Sequence, residues 1–330
     1  MSRSLLILIL ATLLVSCTSP TSTVTLKDNP SIDTATPAEP HLPISTTTAP
    51  ANQTPALSSQ VPQFEHIVLI LFENKKYESV IGNSSMPVYN HLAQENTTLT
   101  QYYAVGHPSL PNYLALVGGD TFKIKNDCTD CFIDAPSLPD LIEASGRTWK
   151  TYQEDMPQPC YLGNKDGYAQ KHNPFVYFDS IRTDQERCER SVVPLTDLST
   201  DILAGTLPNF IFISPNLCND AHDCSLDVAD TWLGNLLDTL VPALDASVKP
   251  YLIVPLFDEG HGDGSCCGLP EDAGGRIPVV LVSPSVKSGF QDDTPYTHYS
   301  LLKTISKSWE LSYLGHAAHE SNVLITDPWK

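Results

Sequence analysis

The chain alternates between short, wholly apolar runs and stretches in which apolar residues recur every third or fourth position. "FEHIVLILFEN" (Phe64 to Asn74), "PNFIFISP" (Pro208 to Pro215), "YLIVPLF" (Tyr251 to Phe257) and "RIPVVLVSP" (Arg276 to Pro284) have strand length and lack the alternation of a half-exposed sheet. They predict strands covered on both faces. Between them, Met86 to Asn96, Ser137 to Ser145 and Thr196 to Ala204 read as helices, the last with Thr196 as N-cap. In Asp227 to Ala246, Val228, Trp232, Leu236 and Leu240 recur at every fourth residue and give one apolar helical face. "THYSLLKTISKSWEL" closes the series as a helix capped by Thr297. Strand and helix in this order predict a single α/β domain with a mostly parallel central sheet flanked by helices on both faces.

The first sixty or so residues break this pattern. Arg3 precedes an apolar run, Leu5 to Val15, too short to span a bilayer, and "LVSC" ends it at Cys17. This resembles a bacterial lipobox, which implies lipidation at Cys17 and an extracytoplasmic protein held at a membrane surface; an ordinary secretory signal is the alternative. From Thr18 to Gln63 the chain is rich in Ser, Thr, Pro and Ala, and predicts a flexible tether. The expected organisation is therefore 1–17 signal, 18–63 tether and 64–330 folded domain.

Charge and cysteine content narrow the choices further. A formal net charge of −19 without a Lys/Arg cluster excludes nucleic acid as a partner. Of nine cysteines, Cys17 belongs to the leader and the even remainder reads as disulfides in an exported protein. Short local loops, 128/131, 160/188 and 218/224, are the expected pairs, leaving Cys266 with Cys267. Zinc at "CTDC" is the rival reading, but no second half of matching spacing accompanies it.

Candidate chemistry gathers where the strands end, as ligands do in open α/β sheets. The first strand runs into Glu73-Asn74, the second into Asn216 and then Asp220, His222 and Asp223, the third into Asp258-Glu259. Acids often open solvated loops, but oxygen donors at three neighbouring strand ends suit a hard divalent cation, Ca²⁺, Mg²⁺ or Mn²⁺. In "VGHPSLPNYLALVGG" Ser109 stands before an apolar helical stretch, either as an N-cap or as a nucleophile in a helix dipole. His107, His172 and His222 are candidate phosphate partners or proton donors.

The blocks "FENKKYESVI", "GHPSLPNY", "KHNPFVYF", "PNLCNDAHDC", "FDEGHGD" and "THYSLLKTI" together resemble the phosphoesterase family of bacterial acid phosphatases and phospholipases C, within the alkaline-phosphatase-like superfamily. The resemblance covers about Phe64 to Leu311. It implies that Glu73, Asn74, Asp258 and Glu259 hold one divalent metal and that Ser109 completes its shell and becomes phosphorylated. It implies further that His222 protonates the leaving group and that His172, with Lys171 and Asn173 beside it and His107, meets the phosphoryl oxygens. His298 matches a family position without an assigned role. Phospholipases C of the family are generally longer, so the shorter phosphatase type is expected. The expected function is an exported, metal-dependent phosphomonoesterase, with phosphoinositides among its candidate substrates. The alternatives are a phospholipase C-type phosphodiesterase and a lipoprotein that binds without turnover.

Overall fold

In a computed structural model, residues 61–262 and 264–330 are described. The expected leader with Cys17 and the tether up to residue 60 lie outside the described residues. Packing already includes Val61, which is buried, and Pro62, whose carbonyl accepts from Ser308 Oγ at 2.7 Å, slightly ahead of the expected start at Phe64.

The strands are β1 (His66–Phe72), β2 (Thr97–Leu99), β3 (Tyr102–Tyr103), β4 (Trp149–Gln153) and β5 (Val192–Pro194). They continue with β6 (Phe210–Ser214), β7 (Tyr251–Phe257), β8 (Val279–Leu281), β9 (Phe290–Asp292) and β10 (Tyr296–Thr297). Eight of them form one sheet in the order β5-β4-β6-β1-β7-β8-β2-β9, while β10 and β3 pair separately. Only β8 runs against the rest, antiparallel to both neighbours. The apolar run Arg276–Pro284 thus yields a strand of three residues.

Every residue of β1, β6 and β7 is buried. Successive side chains of a strand point to opposite faces, so both faces must be covered. The aromatic contacts show by what. Leu69 of β1 stands beside Phe212 of β6, which Tyr113 of the helix Ser109–Gly118 meets at 6.2 Å between ring centroids. Phe72 is three residues on and faces the other way, beside Phe257. There Trp232 of the helix Leu226–Ala246 meets Phe72 at 6.1 Å and Tyr89 of the helix Pro87–Glu95 meets Phe257 at 6.0 Å.

Two helices differ from the sequence pattern. In the helix Leu226–Ala246 the buried positions are Ala229, Asp230, Leu233, Leu236, Leu237, Leu240 and Leu244, whereas Val228 and Trp232 are half-buried. A strict every-fourth series drifts around the axis by about 40° per step, so a face that stays on the sheet must mix steps of three and four. Thr196 is the first helical residue rather than the cap, a place Leu195 takes. Thr297 does cap its helix, accepting from Tyr299 N–H and forming a capping box with Ser300. The helix Pro87–Glu95 has no local side-chain cap. Its first N–H groups, at Val88 and Tyr89, donate to buried Asp230 at 2.9 and 2.8 Å, a cap supplied from another helix.

All eight described cysteines are paired, 128–131, 160–188, 218–224 and 266–267, which are the expected short-loop pairs among the many that the sequence leaves open.

One fold contact makes a testable statement about acid stability. The Asp201 carboxylate accepts from Lys150 Nζ and Tyr152 Oη, each at 2.6 Å, and from Thr206 Oγ1 at 3.2 Å. Burial acts to raise its pKa, but these donors outweigh burial and hold it below the usual value. A depressed carboxyl pKa stabilises the fold above the unfolded-state pKa and loses that contribution as pH falls through the folded one. Asp201→Asn is expected to cost about 1–2 kcal/mol at pH 7 in urea unfolding. The gap to wild type should shrink as pH drops below about 4; a gap that persists undiminished at lower pH would contradict this account.

Candidate active site

At the carboxyl edge of the sheet, β1 ends in Glu73-Asn74 and β7 in Asp258-Glu259, side by side because Phe72 is in register with Phe257. Asp258 N–H donates to Phe72 O at 2.9 Å, and Asn74 N–H donates to Asp258 Oδ1 at 2.9 Å. Asn74 has φ +53, in the left-handed region that Asn tolerates better than most residues. His298, fully buried, supports the corner from below. Burial pushes its pKa down to about 4, so it is neutral, with Nε2–H donating to Asp258 O at 2.7 Å. Its Nδ1 is then left to accept from Tyr102 Oη at 3.3 Å.

Ser109 opens a helix whose ten residues, Ser109–Gly118, are all buried. Asn112 ties that helix to the loop before it: its Oδ1 accepts from Val105 and Gly106 N–H at 2.9 and 3.2 Å, and its Nδ2 donates to Gly106 O at 2.9 Å. The loop after Glu259 packs on the same segment. A Cβ at Gly274 would lie 2.4 Å from Gly106 O, so only glycine permits that approach. The Ser109 hydroxyl donates to Glu73 Oε2 at 2.9 Å and lies 3.4 Å from Lys171 Nζ.

Glu73 is the hub. Tyr113 Oη donates to its Oε1, and His172 Nε2 lies 3.2 Å from the same oxygen. His172 Nδ1 faces Asp220 Oδ2 at 3.3 Å, and the imidazole stacks on Tyr113 at 5.3 Å. Burial opposes charge on His172, yet Glu73 and Asp220 outweigh it and raise its pKa to about 10. Burial likewise pushes the Glu73 carboxyl up, but the His172 charge, Lys171 and the Tyr113 hydroxyl hold it well below the carboxylate range. The other acids are less well matched. Asp258 is raised by burial, then by Glu73 and Glu259, while burial outweighs the His107 contact and lifts Glu259 to about 7.

The structure brings together Glu73, Asn74, Ser109, Lys171, His172 and Asp258, while Glu259, next to Asp258 in the chain and near enough to feel the Glu73 charge, turns its carboxylate to His107. His222 stands at the rim, exposed, with Nδ1 on Asp223 Oδ1 at 2.6 Å and Nε2 3.5 Å from Lys171 Nζ. Three residues depart from the expected phosphate contact. Asn173 is fully buried, with Nδ2 on Tyr168 Oη at 3.0 Å, because it links two short 3₁₀ turns and faces the interior. His172 turns both ring nitrogens to carboxylates, since a buried imidazolium needs both charges to offset its desolvation. His107, which is exposed, directs Nδ1 alone to the Glu259 carboxylate.

Residues 82–312 match the phosphoesterase family. A phosphatidylinositol-3-phosphatase of Mycobacterium tuberculosis is 32% identical over 280 residues, covering 82% of this chain and 85% of that protein. The chain belongs to the phosphoesterase family. A phosphate-repressible acid phosphatase of Penicillium chrysogenum is 36% identical over 276 residues, covering 79% of this chain but 63% of that enzyme. The phosphoesterase chain thus spans somewhat under two thirds of that relative's length. Among solved structures, an alkaline phosphatase superfamily protein from Vibrio parahaemolyticus superimposes with a TM-score of 0.55 at 13% identity, covering 82% of this chain and 72% of that one. A lipoteichoic acid synthase from Listeria monocytogenes gives 0.54 at 12% identity, covering 82% and 77%. At such identities these show the fold.

The phosphoesterase site has the chemistry of a cation site in one specific respect. Asn74 Oδ1 and Asp258 Oδ2 are buried oxygens without a hydrogen-bond partner, at a corner where burial, then Glu73 and Glu259, push the Asp258 carboxyl up. Orphaned hard donors beside unmatched negative charge fit a divalent ion. The acids alone do not form a cage: among the described residues no group of three or more His, Cys, Asp or Glu side chains could hold a metal. A site for such an ion would have to draw on the Asn74 amide oxygen and the Ser109 hydroxyl as well.

Sequence reasoning missed Tyr113, Asp220 as the partner of His172, and Asp127. The Asp127 Oδ1 accepts from Leu110 N–H at 3.0 Å and its Oδ2 from Lys171 Nζ at 3.2 Å. Tyr113 could have been found, since it lies one helical turn beyond Ser109 and so on the same face. Nothing in the local sequence marks Asp127.

Proposed function

We propose that this chain is a phosphomonoesterase of the exported acid phosphatase type, working through a phosphoserine at Ser109 and one divalent metal. The observation that carries this reading is the Ser109 hydroxyl, held at a helix N-terminus between the Glu73 carboxylate and the Lys171 ammonium. Both sequence relatives cited above are phosphatases by name, which favours monoester over diester cleavage. The lipobox-like leader at Cys17 supports an extracytoplasmic, membrane-held enzyme, and a phospholipid substrate within its reach.

Asn74, Asp258, Glu73, Glu259 and Ser109 would hold the cation. When bound it would neutralise phosphoryl charge and lower the pKa of the serine hydroxyl. The remaining roles belong to the chain itself. Ser109 Oγ attacks phosphorus, and its proton has Glu73 Oε2 as its acceptor. Lys171 and the helix N-terminus offset charge on the phosphoryl oxygens. Asp223 holds His222 by Nδ1, so Nε2 faces the site and protonates the departing alkoxide. Water then attacks the phosphoserine, His222 takes its proton, and Glu73 Oε2 returns the first proton to Ser109 Oγ as the phosphorus–oxygen bond breaks.

The test is product analysis with a phosphatidylinositol monophosphate and with p-nitrophenyl phosphate, before and after EDTA and after add-back of Ca²⁺, Mg²⁺ or Mn²⁺. Inorganic phosphate released from both substrates, lost on chelation and restored by one ion, is the expected result. Release of a phosphorylated headgroup instead would make the enzyme a phosphodiesterase. Binding without turnover would leave a ligand-capturing lipoprotein.

A further inference from the structure

We infer that Asp127 is a positioning residue for the Lys171 ammonium at the nucleophile, an inference that rests on Ser109 being that nucleophile. The two oxygens of its carboxylate divide the donors that flank Ser109. One takes the N–H of the very next residue, Leu110, at 3.0 Å; the other takes Lys171 Nζ at 3.2 Å, which lies 3.4 Å from Ser109 Oγ. A lysine side chain carries four rotatable carbons and presents a point charge, so without a fixed partner its ammonium wanders. With Asp127 as a fixed partner it has one station, over the serine hydroxyl and within 3.5 Å of His222 Nε2.

The carboxylate is itself held rigidly. Asp127 immediately precedes the Cys128–Cys131 disulfide. Two side chains from the segment that bears Lys171 clamp that loop: Gln170 Nε2 donates to Thr129 O at 2.9 Å and Tyr177 Oη donates to Cys128 O at 2.8 Å. Acid and base therefore move as one unit against the head of the Ser109 helix. Asp127 and Lys171 also line, with Thr129, Tyr168 and His222, a cavity of about 330 Å³.

A double-mutant cycle on p-nitrophenyl phosphate tests this. Asp127→Ala is expected to lower kcat by about 10- to 100-fold, with a smaller change in KM, because a misplaced ammonium no longer meets the charge of the transition state. In a Lys171→Ala background the same substitution should cost less than about threefold, since the group it positions is already gone. Asp127→Asn retains the shape and an acceptor for Leu110 N–H, and should give the same loss with an unchanged melting temperature. Losses that multiply in the double variant, or an Asp127→Asn enzyme with wild-type kcat, would overturn the inference. The Ser109→Ala variant separates the two failures. If it is inactive while Asp127→Ala is fully active, the serine reading stands and the Asp127 role falls; if wild type turns over nothing, both fall.

Discussion

Ser109→Ala is expected to lower kcat on p-nitrophenyl phosphate by about 10³-fold or more, while the protein remains folded. The size of the effect follows from the role proposed for the hydroxyl: it would be the atom that bonds to phosphorus, and no neighbour could replace it. Glu73 is held strongly ionised but it is buried beneath the serine, and Lys171 is a cation without a lone pair. The fold survives because the side chain carries little of it. The Ser109 hydroxyl makes no cap bond to its own helix, and its contacts are Glu73 and Lys171. Alanine fills nearly the same buried volume and is the best helix former. Steady-state kinetics together with circular dichroism melts give the answer, and full activity in the folded variant would remove the nucleophile from the reading above.

Asp258→Asn is expected to move stability and activity in opposite directions. Asp258 is fully buried, and burial, then Glu73 and Glu259, push its carboxyl well above the ordinary value. Its Oδ2 has no hydrogen-bond partner, so part of this charge is uncompensated without a cation. Asparagine retains an acceptor for Asn74 N–H while removing the repulsion. In EDTA-treated protein the melting temperature should rise by about 2–4 °C. Activity with metal restored should fall by at least about 100-fold, since a ligand charge is lost. This is the trade between function and stability expected where like charges are crowded for a purpose. A variant that melts lower than wild type in EDTA would mean that Asp258 is stabilising by itself, and that the corner was not built around a cation.

Both predictions concern residues that a linear reading could find, and the reason is specific. Buried parallel strands write themselves as unbroken apolar runs, so the points where β1 and β7 stop are visible as the first polar residues, Glu73 and Asp258. Where strands were short or polar the same logic failed. β4, "WKTYQ", carries Lys150 and Gln153 and gave no apolar run, yet it lies beside β6 within the sheet. Its faces are covered by neighbours that sequence distance concealed, and Lys150 is accommodated by Asp201. In the site, motif residues were legible as types but not as partnerships. His172 was expected to meet a phosphoryl oxygen; instead its ring nitrogens face Glu73 and Asp220, residues that stand well apart in the chain.

The sequence alone determined the layered α/β architecture, the strand ends that gather oxygen donors and the serine at a helix start, and for the cysteines it set a preference for short loops. Each is a local matter of hydrophobic period, turn chemistry or short loop closure. Tertiary structure decided which charge meets which: Glu73 with His172, Asp127 with Lys171, His298 beneath Asp258, and Asp230 as the cap of a distant helix. Such pairings depend on which groups share one low-dielectric corner after folding, and a buried charge takes whatever partner the packing brings within about 3 Å.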